Sequence, residues 1–206
     1  MPLPEIQVEQ ITRSAAAAEV VLRSLPYEDG QLPDDQAKVL IAILLAHHPT
    51  EVLEIGTFFG HTTIRMAEAL PNATIHTVDL PTKHGLPWRG YLTDFHLINR
   101  REVGREFNKR KHGRIIQYFA DTMTWDFSGI GAPTFFFIDG SHSYECVKND
   151  SDKCLKLCRG KGVFVWHDLA PSHPGVVQLL QEWSASGRDV RKIAGFPLGY
   201  YNTEFI

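Results

Sequence analysis

A strand–helix–strand pattern beginning near residue 50 constrains the fold of this chain more than any other feature. Residues 51–55 form a short apolar segment, and a glycine-bounded turn at 56–60 follows it. Residues 61–70 have the spacing of a helix, and 74–79 form a second strand. Two strands joined through a helix lie parallel in one sheet, so the pattern predicts a βαβ unit.

The same alternation continues along the chain. Further strands are predicted at 114–118, 133–139 and 162–168, and further helices at 91–111, 144–158 and 175–186. Residues 189–194 and 200–206 are two strands joined by a short Gly/Pro loop, which is typical of an antiparallel hairpin. We therefore predict an α/β fold: a Rossmann-like sheet of seven mostly parallel strands, with a C-terminal antiparallel hairpin and helices on both faces.

Two helices are predicted before the sheet. Residues 6–25 carry apolar residues at helical spacing up to Pro26. Residues 34–48 form a second, apolar helix that Asp34 can cap. These helices either cover the functional site or build a homodimer.

The length and charge of the chain narrow its class. With 206 residues we expect a single domain over 1–206, made of N-terminal helices at 1–48 and an α/β core at 49–206. There are 21 Lys and Arg and 24 Asp and Glu, a formal net charge of −3, which argues against a nucleic-acid partner. Seven basic residues do fall within 100–114, which we interpret as a solvated helix face; the alternative is a patch for an anionic substrate or RNA.

The sequence also argues against a membrane or an oxidising compartment. The longest apolar run, 39–46, is too short to cross a bilayer, and the N-terminus lacks the pattern of a secretory signal. The three cysteines lie within 13 residues of one another and do not make a disulfide framework. We expect a cytoplasmic protein with buried, reduced thiols.

Carboxylates recur at the ends of the predicted strands. In open parallel sheets ligands bind beyond the carboxyl ends of the strands, where the strand order reverses. A sequence selected for stability alone has no reason to place acids there repeatedly. The acids are Glu54, Asp79, Asp121, Asp139 and Asp168.

The first turn has the form Glu54-x-Gly56-x-x-x-Gly60. Gly56 permits a sharp turn and the close approach of a ligand, and the next helix offers free N–H groups to an anion. Phe58 stands where the dinucleotide fingerprint has its central glycine, so a ligand with a single carboxylate fits better than a pyrophosphate. Asp79 is placed to accept hydrogen bonds from a ribose diol.

Two stretches resemble known enzymes. Residues 52–67, Val-Leu-Glu-Ile-Gly-Thr-Phe-Phe-Gly-His-Thr-Thr-Ile-Arg-Met-Ala, look like motif I of the class I S-adenosylmethionine (SAM)-dependent methyltransferases, and resemble most the catechol and caffeoyl-CoA O-methyltransferase branch. Residues 138–145, Ile-Asp-Gly-Ser-His-Ser-Tyr-Glu, are similar to a group of small bacterial methyltransferases with the pattern I-D-G-x-H-x-Y.

This resemblance implies a SAM site. The methionine part of SAM would be held by the first turn, the ribose by Asp79, and the adenine by the residues after the third strand, with Asp139 also beside the cofactor. The implied cofactor-binding residues are Glu54, Gly56, Thr57, Gly60, Thr62, Asp79, Ala120, Asp121, Thr122 and Asp139.

The resemblance also implies a catalytic site after the fourth and fifth strands. Asp139 and Asp168 match two acids that bind a divalent ion in the metal-dependent branch, but Leu169 stands where a third ligand follows. His167 is an alternative ligand, which suits ions softer than Mg²⁺. His142 stands at the position of a catalytic Lys and is suited to act as a base, with Asp139 to orient it.

The sequence thus predicts a SAM-dependent methyltransferase that acts on a hydroxyl group of a small molecule, aided by a divalent metal, by a histidine base, or by both. A nucleotide-binding oxidoreductase is one alternative, which Phe58 and the C-terminal hairpin argue against. The others are a SAM-binding module without turnover and an RNA methyltransferase that uses residues 100–114.

Overall fold

The structure, a computed structural model, describes residues 2–12, 20–81, 102–109, 112 and 114–204. The strands are β1 (Glu5–Ile6), β2 (Glu51–Ile55), β3 (Thr74–Asp79), β4 (Ile115–Phe119), β5 (Phe135–Ile138), β6 (Val163–Trp166), β7 (Arg191–Ile193) and β8 (Gly199–Asn202). The helices are α1 (Val8–Thr12), α2 (Asp34–His47), α3 (His61–Ala69), α4 (Arg105–Asn108), α5 (Tyr144–Leu157) and α6 (Pro174–Ala185).

The strands form one sheet in the order β1-β7-β8-β6-β5-β2-β3-β4. Strand β8 is antiparallel to both of its neighbours, and the other pairs are parallel. The predicted Rossmann-like α/β fold and its C-terminal hairpin are therefore confirmed. The predicted number of seven strands is corrected to eight, because the short strand β1 adds to the edge of the sheet beside β7. From β2 the chain moves first to β3 and β4 on one side and then to β5 on the other, so the strand order reverses between β2 and β5. A ligand crevice is expected at the carboxyl ends of these two strands.

The central strands of the sheet are buried on both faces. Every residue of β5 is at most 3% exposed, as predicted for a strand covered on both sides. Phe135 and Phe137 point to the face that α2 and α3 cover, and Phe136 and Ile138 to the face that α5 and α6 cover. Each such buried side chain contributes about 1.5–3 kcal/mol of hydrophobic stabilisation.

The N-terminal segment differs from the prediction. The expected helix at 6–25 is wrong at Ile6, which lies in β1 and pairs with Ile193, and at 20–25, which are not helical; residues 13–19 lie outside the described part. Among the described residues of this segment, only those of α1 are helical. Val20 and Leu22 nevertheless pack against the core. The apolar residues at this end of the segment are therefore explained by their burial and not by a helix.

Two further local predictions are corrected. Asp34 does not cap α2: it is the first residue of the helix, Pro33 is the N-cap, and the Asp34 carboxylate instead accepts a hydrogen bond from Arg65 on α3 at 2.6 Å. Of the helix predicted at 91–111, the described residues 102–109 contain only α4, because Gly104 adopts a left-handed turn just before it. Most of the basic segment 100–114 lies outside the described residues.

In the described part of the chain, none of the helices combines the length and apolarity needed to cross a membrane. The described cysteines are buried and free of disulfides. The division between 1–48 and 49–206 and the homodimer stay predictions.

Candidate active site

The carboxyl ends of β2, β3 and β5 are joined by backbone hydrogen bonds. The Gly56 N–H donates to the Val78 carbonyl at 2.9 Å, and the Asp139 N–H donates to the Ile55 carbonyl at 2.8 Å. Gly56 has φ +101°, and a Cβ there would lie 2.0 Å from the Asp139 carbonyl oxygen. Only glycine fits this position, and the first turn therefore lies directly against the loop that carries Asp139.

Glu54 lies beneath the first turn and is fully buried. Its Oε2 accepts hydrogen bonds from Thr63 on α3 and, at 2.6 Å, from Thr77 on β3. Its Oε1 is buried and has no hydrogen-bond partner among the described residues. Burial raises the pKa of Glu54 to about 8, with Asp139 and Asp79 adding to the effect. Thr57 lies beside this carboxyl and bonds to Thr77 at 2.6 Å.

Asp79 holds the first turn from the end of β3. Its Oδ2 accepts a hydrogen bond from the Phe58 N–H at 2.8 Å, and its Oδ1 accepts one from the Leu80 N–H at 2.7 Å. Phe58 has φ +49°, a left-handed conformation that a non-glycine residue rarely adopts. The bond to Asp79 explains how a phenylalanine is held where the dinucleotide fingerprint has glycine.

A segment that the sequence placed in a longer helix lies across this turn. Gly104 and Glu106 donate backbone hydrogen bonds to the carbonyls of Phe58 and Phe59 at 2.8 and 2.9 Å. A Cβ on Gly60 would lie 2.7 Å from the ring of Phe107. Segment 104–107 is thus a wall of the turn that no sequence pattern indicated. Thr62, in the first turn of α3, is partly buried next to it.

The residues after β4 lie beside Asp79, as the predicted adenine site requires. The Ala120 N–H donates to the Asp79 carbonyl at 3.0 Å. Asp121 accepts a hydrogen bond from the Met123 N–H at 2.9 Å, and the Thr122 carbonyl accepts from Asn149 of α5 at 3.0 Å. These contacts fix the loop against α5, and their role toward adenine stays a prediction.

A cluster of histidines and aspartates follows β5 and β6. His167 Nδ1 lies 2.8 Å from Asp139 Oδ1 and 3.2 Å from Asp168 Oδ2, and its Nε2 lies 2.8 Å from Oε1 of Gln36 on α2. Burial disfavours the charged imidazolium, but the carboxylates of Asp139 and Asp168 outweigh burial and raise the pKa of His167 to about 10. With acceptors at both ring nitrogens, His167 donates from both.

His142 is held on the other side of Asp168. His142 Nε2 lies 2.6 Å from Asp168 Oδ2. Although burial favours the neutral acid, hydrogen bonds from His142 and His167 hold the pKa of Asp168 well below its usual value. Ser143 caps α5 through the Cys146 N–H, which places His142 just before that helix.

His173 completes the cluster. It is the N-cap of α6, its ring centroid lies 4.3 Å from that of His142, and its Nδ1 lies 3.7 Å from Asp168 Oδ1. Gly175 allows the start of α6 to lie this close to His142, because a Cβ at this position would lie 2.4 Å from the His142 carbonyl oxygen. Sequence reasoning missed His173 and Gln36: His173 follows a strand end by several residues, and Gln36 lies far from the cluster in sequence.

The residues do not fit the metal site that the resemblance implies. Leu169 is 7% exposed, has no ligand atom, and donates its backbone N–H to Pro197. Asp139, His167 and Asp168 do have ligand atoms within 4.8 Å of one another, as do His142, Asp168 and His173. In the first set, however, the His167 ring itself bonds to both carboxylates. A ring nitrogen that donates a proton cannot also bind a metal.

Comparison with known proteins places this geometry in a family. Residues 53–169 match the family model described as a methyltransferase domain. The fold is similar to the SAH-bound methyltransferase PaMTH1 of Podospora anserina, at 18% identity over 84% of this chain and 80% of that one, with a TM-score of 0.59. It is also similar to the O-methyltransferase TomG of Streptomyces achromogenes in complex with SAM, at 20% identity over 84% and 82%, with a TM-score of 0.57.

An O-methyltransferase from Bacillus cereus in complex with SAH is similar over 95% of this chain and 90% of that one, at 16% identity and a TM-score of 0.60. The family match covers the turn that holds Gly56, the loop with Asp139 and the end of β6 with Asp168. The chain therefore belongs to the methyltransferase-domain family and has the fold of the class I SAM-dependent methyltransferases.

Proposed function

We propose that this methyltransferase transfers the methyl group of SAM to a hydroxyl oxygen of a small-molecule acceptor. The observation that carries the proposal is the hydrogen-bonded pair of His142 and Asp168. This pair lies near the first turn, because Gly56 of that turn is in close contact with the Asp139 backbone. A base and a cofactor turn are then neighbours at the point where the strand order reverses.

The residues at the strand ends fit the chemistry of SAM. Oε1 of Glu54 lies beneath the turn and has no partner among the described residues, and a cationic methionine group bound there would favour the ionised, accepting form of this carboxyl. In this proposal Asp79 accepts hydrogen bonds from the ribose, and an acid there disfavours a 2′-phosphate. In this proposal SAM is held by Glu54, Gly56, Thr57, Gly60, Thr62, Asp79, Ala120, Asp121, Thr122 and Asp139.

When bound, SAM supplies an already activated methyl group, so the protein mainly aligns the acceptor with it. A hydroxyl acceptor must lose its proton, and His142 takes it as general base. Asp168, 2.6 Å from His142 Nε2, fixes the imidazole and stabilises the imidazolium that forms. Asp139 lies between this pair and the turn and positions the loop through its backbone.

Calorimetry with SAM and with S-adenosylhomocysteine tests the cofactor part of the proposal. We expect a dissociation constant on the order of micromolar for either ligand. A panel of small hydroxyl compounds with methyl-labelled SAM then tests the acceptor class. Lack of binding to both ligands contradicts the proposal, and methylation confined to amines or RNA contradicts its oxygen acceptor.

A further inference from the structure

The ring of His167 lies between the carboxylates of Asp139 and Asp168, the two acids for which the resemblance to the metal-dependent branch implies a role in binding a cation. Its Nδ1 is within hydrogen-bonding distance of Asp139 Oδ1, at 2.8 Å, and of Asp168 Oδ2, at 3.2 Å. A ring nitrogen thus sits where an ion bridging these oxygens would have to bind. The His167 side chain is 13% exposed, less than Asp139 at 20% and Asp168 at 19%, so the ring is the most buried member of a compact group of three.

Two further contacts keep the ring in this place. On its far side Nε2 faces the amide oxygen of Gln36 at 2.8 Å, so α2 holds the ring against the acids. Next to Asp168, the Leu169 side chain is buried in the core, and its N–H is bonded to Pro197. The position from which a third metal ligand would come therefore carries no donor atom.

We propose that the His167 side chain, held by Gln36, takes the place of the divalent metal ion between Asp139 and Asp168, and that the site positions its acids without a metal. This inference rests on the proposed function for its role in methyl transfer, but it concerns ion binding and is tested apart from it. Without a metal to lower the pKa of the acceptor hydroxyl, removal of its proton falls to a base.

The neighbouring set of His142, Asp168 and His173 offers the ligand atoms that an ion softer than Mg²⁺, such as Zn²⁺, would use. The distances within the set nevertheless argue against a bound ion. Two ligand atoms bound to one tetrahedral zinc ion at 2.0–2.1 Å lie about 3.3 Å apart. His142 Nε2 and Asp168 Oδ2 lie 2.6 Å apart, which is the distance of a direct hydrogen bond. Asp168 is thus bonded to histidines on both sides.

Direct ion binding tests the proposal. The chelator-treated full chain is dialysed against Mg²⁺, Mn²⁺ or Zn²⁺, and the bound metal is measured by mass spectrometry and, for Mn²⁺, by electron paramagnetic resonance. We expect less than a tenth of an equivalent of each ion. One equivalent of any ion that is lost in Asp168→Asn overturns the proposal, and so does Zn²⁺ that is lost in His173→Ala.

A second experiment tests whether a variant without the His167 ring gains the ability to bind Mn²⁺. His167→Ala combined with Leu169→Asn removes the ring and restores a donor, so we expect Mn²⁺ binding that the wild type lacks. Leu169→Asn alone is the matched control, and it stays metal-free because His167 is still present. Mn²⁺ binding to the control overturns the proposal; if the double variant does not fold by circular dichroism, the wild-type arm decides.

These outcomes are separable from those of the proposed function. A chain that binds no metal and no SAM contradicts the methyltransferase proposal and leaves the ion result standing. A chain that binds SAM and one equivalent of metal contradicts only the replacement of the ion by His167.

Discussion

His142 and Asp168 form a direct pair, with Nε2 of one 2.6 Å from Oδ2 of the other. The two side chains follow β5 and β6, which are adjacent parallel strands, so their carboxyl ends bring the two residues to the same edge of the sheet. If His142 is the base, His142→Gln lowers kcat about 10²- to 10⁴-fold, because proton removal contributes that much to such reactions. We expect the affinity for S-adenosylhomocysteine to change less than about threefold.

Both quantities are measured on the best acceptor of the hydroxyl panel and by calorimetry. His48→Asn is the matched control, because His48 is exposed and its left-handed backbone tolerates asparagine. A kcat of His142→Gln equal to that of the control means that His142 is not the base.

Gly56→Ala is expected to destabilise the protein strongly. The new Cβ meets the Asp139 carbonyl oxygen at 2.0 Å, and because the Cβ is fixed to the Cα and the oxygen belongs to the backbone, the clash can be relieved only by moving backbone. Gly187→Ala is the control: its φ of +91° is similarly unfavourable for alanine, but it has no atom within 4 Å. Urea unfolding should show a loss of about 1–2 kcal/mol in the control, from the left-handed backbone alone, and a larger loss at Gly56. Equal losses contradict the steric explanation.

The stability of the protein should depend on the ionisation of Glu54. Its pKa is about 4.3 in an unfolded chain and is raised to about 8 in the fold. Between these values the native state keeps a proton that the unfolded state releases, so this group's contribution to the free energy of unfolding is present at low pH and falls as pH rises. Glu54→Gln removes the titration and keeps an oxygen that accepts from Thr63 and Thr77.

We therefore expect the variant to gain stability relative to the wild type by a few kcal/mol as the pH rises from about 5 to about 8. The measurement is urea unfolding of both proteins at several pH values. The contribution of the histidines to the free energy of unfolding is common to both proteins and cancels in the difference between them. Parallel curves mean that the Glu54 carboxyl is ionised in the fold.

Asp79→Ala should weaken cofactor binding. The change removes the acceptor proposed for the ribose and also the bond that holds Phe58 in its left-handed conformation. Loss of a charged hydrogen-bond partner costs about 1.5–3 kcal/mol, so calorimetry should show an affinity for S-adenosylhomocysteine lower by at least tenfold. Asp126→Ala, at an exposed acid outside the site, is the control. Unchanged affinity in Asp79→Ala excludes the proposed ribose contact.

The sequence was sufficient for the parts of the fold with a strong local pattern. Strands β2 and β3 were predicted with their exact bounds, because each is a nearly continuous run of buried residues that lies between clear turn signals. Strand β1 has two residues, too few to show a period, and its partner Lys192 lies at the other end of the chain.

Some residues of the candidate site were likewise predictable from the sequence, and others were not. Glu54, Asp79, Asp139 and Asp168 were predictable because parallel strands bring their carboxyl ends to one edge of the sheet. The contact of His167 with Gln36 was not, because it depends on how α2 packs over the sheet, which no local pattern encodes. The predicted metal ligand His167 instead donates hydrogen bonds to the acids it was expected to join in binding an ion.

The close contact of Gly56 with the Asp139 carbonyl also limits how this chain can be recombined. The first turn and the loop after β5 touch through backbone atoms, with no side chain between them to absorb a difference in shape. A chimera that takes residues 49–80 from a relative therefore has to take the loop after β5 from the same parent. Gly56 and Asp139 are 83 positions apart in sequence, yet the two segments that carry them would have to be inherited as one block.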